Sequence, residues 1–74
     1  MKVYFENLFG VERLVDTAST LEGAKNIIQA FCDARNFQIY YIRSWIEPDG
    51  RMALDVGSHD EYFYIELESG DSFE

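Results

Sequence analysis

The sequence predicts an α+β domain of order ββαβββ, with one helix packed on one face of a mainly antiparallel sheet. Three observations lead there. Runs rich in β-branched and aromatic residues occupy 2–9, 11–17 and much of 39–67. Apolar residues recur at helical spacing from Leu21 to Ala34. Glu47-Pro48-Asp49-Gly50, a tight-turn sequence, lies inside the stretch that holds the single Trp and four of the five Tyr.

Size and composition set the limits. The 74 residues make one domain, 1–74, with room for one thin core. Hydrophobic residues at 47% and aromatics at 16% argue against disorder. A core this small stabilises a domain by only a few kcal/mol, which leaves dimerisation or partner binding open. The net charge of −8 repels phosphates and anionic lipid, so neither direct nucleic-acid binding nor membrane association is expected. It suits a basic protein partner, mimicry of nucleic acid, or plain solubility. A lone Cys32 cannot form an internal disulfide, which points to the cytoplasm. No apolar run approaches the roughly 20 residues of a membrane span. The opening MKVYFENLF reads as a strand rather than a signal peptide.

The first two runs, 2–9 and 11–17, are expected to form a hairpin with its turn around Asn7 to Gly10. Leu8, Phe9 and Val11 do not alternate cleanly, so its register stays open. A helix over about 20–35 follows. Ser19 and Glu22 fit a capping box, in which each side chain satisfies a free backbone N–H at the helix start. Leu21, Ala24, Ile27, Ile28, Phe31 and Ala34 form its buried stripe, and Asn36 suits a left-handed terminating position. Cys32 adjoins the stripe and reads as a small packed side chain, since no neighbouring base would activate it.

From Ile39 to Leu67 three strands are expected. A type I turn at Pro48-Asp49 with a glycine bulge at Gly50 sets Glu47 opposite Arg51. Ile46, Ser44 and Ile42 then meet Met52, Leu54 and Val56 on a face that should pack on the helix. Trp45, Arg43 and Tyr41 meet Ala53, Asp55 and Gly57 on the other face. A slip of one residue would bring charges into the core, so this register should be well specified. After a connection at 57–60, the third strand alternates, with Phe63, Ile65 and Leu67 inward and Tyr62, Tyr64 and Glu66 outward. Residues 68–74, rich in acids, Gly and Ser, read as a flexible acidic tail from which Phe73 can dock.

One helix covers only one sheet face. Tyr41, Arg43, Trp45, Asp55, Tyr62 and Tyr64 are therefore expected on the uncovered one, a composition typical of interaction hot spots. Three readings stay open: ordinary cross-strand pairs, a homodimer made by stacking these faces, or a different protein partner. Base stacking on the sheet, as RNA-binding modules use, conflicts with the charge.

The residues offer little chemistry. Ser58-His59-Asp60 holds the residue types of a hydrolase triad, but neighbours in one tight turn cannot form a relay. Asp60 or Ser58 capping the turn is the local role expected there. One histidine among Asp55, Asp60 and Glu61 lacks metal-site spacing. Neither an enzyme nor a cofactor is expected.

Tyr41-Ile42-Arg43, Trp45, Asp49-Gly50, Asp55, Gly57-Ser58-His59 and Tyr62-Phe63 resemble a pattern in small uncharacterised acidic proteins of Gram-positive phages and mobile elements. That group has no assigned activity to carry over. Short acidic phage proteins often bind and inhibit a host protein, and some anti-CRISPR proteins mimic DNA; this chain is similar to them in size and charge. The resemblance implies an accessory protein that binds a basic host-protein surface, with a homodimeric module as the alternative. Tyr41, Trp45, Tyr62 and Tyr64 are the expected anchors, with Arg43 among them. Asp49, Asp55, Asp60 and Glu61 are the carboxylates expected to meet the basic surface.

Overall fold

A computed structural model describes residues 1–57 and 61–73. Its elements follow the expected order: β1 (Lys2–Glu6), β2 (Glu12–Thr17), α1 (Leu21–Ala34), β3 (Arg43–Ile46), β4 (Met52–Asp55) and β5 (Tyr62–Glu66). All five strands form one sheet in the order β2-β1-β5-β4-β3, and every neighbouring pair is antiparallel. The two ends of the chain thus meet at the sheet centre, with Val3 opposite Ile65 and Phe5 opposite Phe63.

Alternation puts Val3, Phe5, Leu54, Phe63 and Ile65 on the helix side, where all are buried. On α1 the buried residues are Ala24, Ile28 and Cys32, with Leu21, Ile27 and Phe31 packed beside them. Cys32 is therefore at the centre of the stripe, and burial pushes its thiol pKa up. Ala34 is exposed rather than buried, because the stripe turns away from the sheet at the last residue of the helix. Phe5, Phe31 and Phe63 form an aromatic cluster of tilted and edge-to-face pairs with ring centres 4.8–5.6 Å apart. The Arg35 guanidinium lies 4.5 Å over the outer ring, Phe31, and closes that side.

The caps differ from expectation at one end. Thr20, not Ser19, is the N-cap: its hydroxyl accepts the Gly23 N–H at 3.0 Å. The third helical residue is then Gly23, which has no side chain to return the bond, so the box reduces to a simple cap. At the other end Asn36 is left-handed, with φ 56°. The Phe37 and Asn36 N–H groups bond the Cys32 and Asp33 carbonyls, closing the helix as expected.

Both tight hairpins use the same device. Gly10 and Gly50 have positive φ and donate to the Asn7 and Glu47 carbonyls, while the Asn7 and Glu47 N–H groups bond Val11 and Arg51. The β3–β4 register is the expected one, from Arg43–Asp55 to Ile46–Met52. The strand is shorter than expected, however, and does not extend back through Ile39. The Tyr40 N–H bonds the Val56 carbonyl, out of step with that ladder, beside Gly57 at φ +86°. Tyr41 still lies over Gly57, where an added Cβ would come within 3.2 Å of the ring.

Ile42 and Ile46 correct a larger expectation. Expected to pack on the helix, both are 55% exposed. A helix about 10 Å across cannot cover a sheet whose five strands span about 19 Å. α1 packs over the β1–β2 half, and β3 is the far edge. The segment after β5 lies against the domain: Phe73 packs on the core, and Asp71 accepts from the Glu68 N–H and the Met1 ammonium.

Candidate protein interface

The side of the sheet away from α1 divides into a closed part and an open part. Arg51, just before β4, crosses β5 and β1 to hold Glu12 at 2.7 Å, and its Nε holds Asp49 at 3.0 Å. In a flat sheet β4 and β2 stand about 14 Å apart. Twist and coiling bring these corners within side-chain reach. The Arg51 guanidinium lies 4.4 Å over the Tyr64 ring, which is only 8% exposed, and Ala53 beneath is fully buried. The Tyr64 hydroxyl donates to Glu6 at 3.2 Å; burial and the Glu6 charge push its pKa up to about 12.

Tyr64 is thus a covered side chain under an ionic clasp, not an exposed anchor. Asp49 has one carboxylate oxygen on the Arg51 N–H and the other on its guanidinium, which together hold its pKa below the ordinary range. An open depression of about 600 Å³ lies against this clasp, between Tyr4, Glu66 and the turn at Gly50. On its wall the Glu66 carboxylate raises the Tyr4 pKa through a side-chain hydrogen bond.

The open part is β3 and its neighbours. Trp45, 41% exposed, meets Tyr62 edge to face at 6.3 Å across β4. Arg43 bonds Asp55 at 2.6 Å and lies 5.2 Å over Tyr41. Asp55 is buried at 5% exposure and also accepts the Gly57 N–H. The guanidinium first, and then that backbone bond, hold its pKa below the usual carboxylate range. Asp55 therefore anchors Arg43 and presents no free carboxylate to a partner.

Of the nine residues singled out in the sequence, Tyr41, Arg43, Trp45 and Tyr62 come together here, with Asp55 beneath them. Tyr64 and Asp49 belong to the clasp. Glu61 is half-buried and has a partner of its own. Asp60 lies outside the described residues, as do Ser58 and His59 with the turn and triad readings attached to them.

No family model, curated protein or solved structure matches this chain. The interface must be read from its own geometry.

Sequence reasoning missed the exposure of Tyr40, Ile42 and Ile46, which are 55–69% exposed on β3 and the segment before it. The width of one helix against five strands carried that signal. It also missed a second apolar group, Leu8, Phe9, Val11 and Leu14, at the β1–β2 turn and along β2. Asn7 holds that turn by accepting the Phe9 and Val11 N–H groups, leaving Phe9 82% exposed. Among the described residues no three His, Cys, Asp or Glu are grouped to hold a metal ion, and no helix is long and apolar enough to cross a membrane.

Proposed function

We propose that this chain acts by binding another protein, without catalysis, and that β3 with its flanks is the contact surface. The observation that carries the reading is the exposure of Trp45 and Ile46 on the edge strand β3 and of Tyr40, Tyr41 and Ile42 just before it. On the side of the sheet away from α1, the side chains nearer β1 and β5 are closed under the Arg51 clasp. Aromatic and aliphatic groups around an arginine are the make-up of interface hot spots.

Charge selects the kind of partner. Arg43 and Arg51 are tied to carboxylates, and Arg13 and Arg35 lie over Phe31, so four of the six basic residues serve the fold. The remaining surface is acidic and favours a basic protein surface. With the phage-type resemblance, the reading becomes an accessory protein that occupies a basic surface of a host protein. Inhibition of a defence nuclease is its narrower form.

Affinity capture from a bacterial lysate, followed by calorimetric titration of the captured protein, tests the reading. Trp45→Ala should weaken binding by about 2 kcal/mol or more, as removal of a hot-spot aromatic does. Asp49→Asn, at the rim, should cost less than about 1 kcal/mol. Binding should also weaken as salt rises. Unchanged affinity in Trp45→Ala would place the contact elsewhere.

A further inference from the structure

We infer that β3 pairs with β3 of a second copy, antiparallel about a two-fold axis at Trp45, to join two sheets edge to edge. This goes beyond the proposed function and does not depend on it.

The backbone supplies the first reason. The Glu47 N–H bonds the Arg51 carbonyl, so by antiparallel alternation Trp45 and Arg43 turn their backbone groups toward β4. Those of Ser44 and Ile46 face outward. Every residue of β3 is exposed, and the strand carries neither a bulge nor a proline, two of the devices that protect an edge. Four residues make it short, but the extended edge is prolonged on one side by Glu47.

Side-chain order supplies the second. Arg43, Trp45 and Glu47 follow one another at alternate positions on the same side of the strand. A two-fold axis at Trp45 sets Arg43 opposite Glu47 of the second copy, twice, and Trp45 opposite its own copy. Ser44 and Ile46 then exchange main-chain hydrogen bonds. The ladder ends at Pro48, which has no N–H. Among the described residues Glu47 has no ion-pair partner within its own chain, so the opposing arginine would be its first.

The other edge shows the opposite arrangement. On β2 an axis at Arg13 would set Arg13 against itself, and one at Leu14 would set Glu12 against Asp16. The ladder is also irregular there, between Val3 and Tyr4 of β1, where the Asp16 carboxylate accepts the Thr17 N–H. Like charges and an irregular register discourage pairing at β2. Self-complementarity is confined to β3. A single short strand buries less than a standard interface, so the dimer should be concentration-dependent.

Sedimentation equilibrium of the full chain from micromolar to millimolar concentration tests the pairing, with emission of the single Trp followed over the same range. Wild type should pass from monomer to dimer, with a matching shift in Trp45 emission. Glu47→Arg sets two arginines opposite each other at both ends and should raise the dissociation constant at least about tenfold. Ser44→Pro removes an outward N–H and should abolish the dimer. Circular dichroism checks that both variants keep α1, and Glu47→Arg, at a strand end, is the arm least dependent on refolding. A wild-type monomer throughout overturns the inference, as does a dimer lost on Tyr62→Arg but kept in both edge variants. A monomer that still captures a partner overturns the pairing alone; a β3 dimer that captures none overturns the functional reading alone.

Discussion

Asp55 shows how a residue can lie in the candidate interface without contacting a partner. Its carboxylate is buried, receives the Arg43 guanidinium and the Gly57 N–H, and is held below the ordinary carboxylate pKa. A group whose pKa is lower in the folded state contributes stability above its unfolded value of about 3.9, and that contribution is lost as pH falls through the folded value. The thermal midpoint should therefore fall as pH is lowered from about 4 to about 2, below the range in which acid only relieves the net negative charge. Asp55→Asn should already be several degrees less stable at neutral pH and should fall less steeply with acid. Some acid sensitivity should persist, because Asp49 and Asp71 are depressed as well. Thermal melts of both proteins across that pH range measure this. Parallel curves would mean that the Arg43 pair contributes nothing to the fold.

At the level of elements, the sequence was most legible where structure is local. The turn residues Glu47 to Gly50 determined the β3–β4 register to the residue, because a bulged type I turn permits one alignment. The periodicity from Leu21 onward located α1 for the same reason. Sheet order was illegible, since pairing β1 with β5 joins the ends of the chain and is decided by packing. The fates of Ile42, Ile46 and Tyr64 were hidden likewise. The first two depend on which strands α1 covers, and the third on an Arg51–Glu12 contact spanning 39 positions. The helix start was misplaced by one residue, because Ser19 and Thr20 are both good caps and only the backbone selects between them. Mutation separates the two. Thr20→Ala should cost about 1 kcal/mol, or about 4–8 °C in a domain of this size. Ser19→Ala should stay within about 0.5 kcal/mol. Denaturant melts decide, and equal losses would restore Ser19 as a capping partner.

For the whole molecule, the net charge of −8 matters more than any one carboxylate. The domain measures 33 × 23 × 21 Å. The screening length is about 30 Å at 0.01 M salt and about 10 Å at 0.1 M. In dilute salt, charges on opposite sides of the domain thus repel one another; at moderate salt they do not. Opposing this are the exposed pairs Arg51–Asp49 and Arg51–Glu12, which contribute little and are also weakened by salt. Fourteen carboxylates against six cations put the balance on the side of repulsion. The thermal midpoint should therefore rise between about 0.01 M and about 0.2 M sodium chloride. Arg51→Gln should steepen the rise, because Glu12 and Asp49 lose their shared cation while Glu6 and Glu66 stay close by on the same side of the sheet. Melts of both proteins at several salt concentrations measure the slopes. A midpoint that falls with salt would mean that local pairing outweighs the net field, and would remove the physical ground for a basic partner drawn to this surface from a distance.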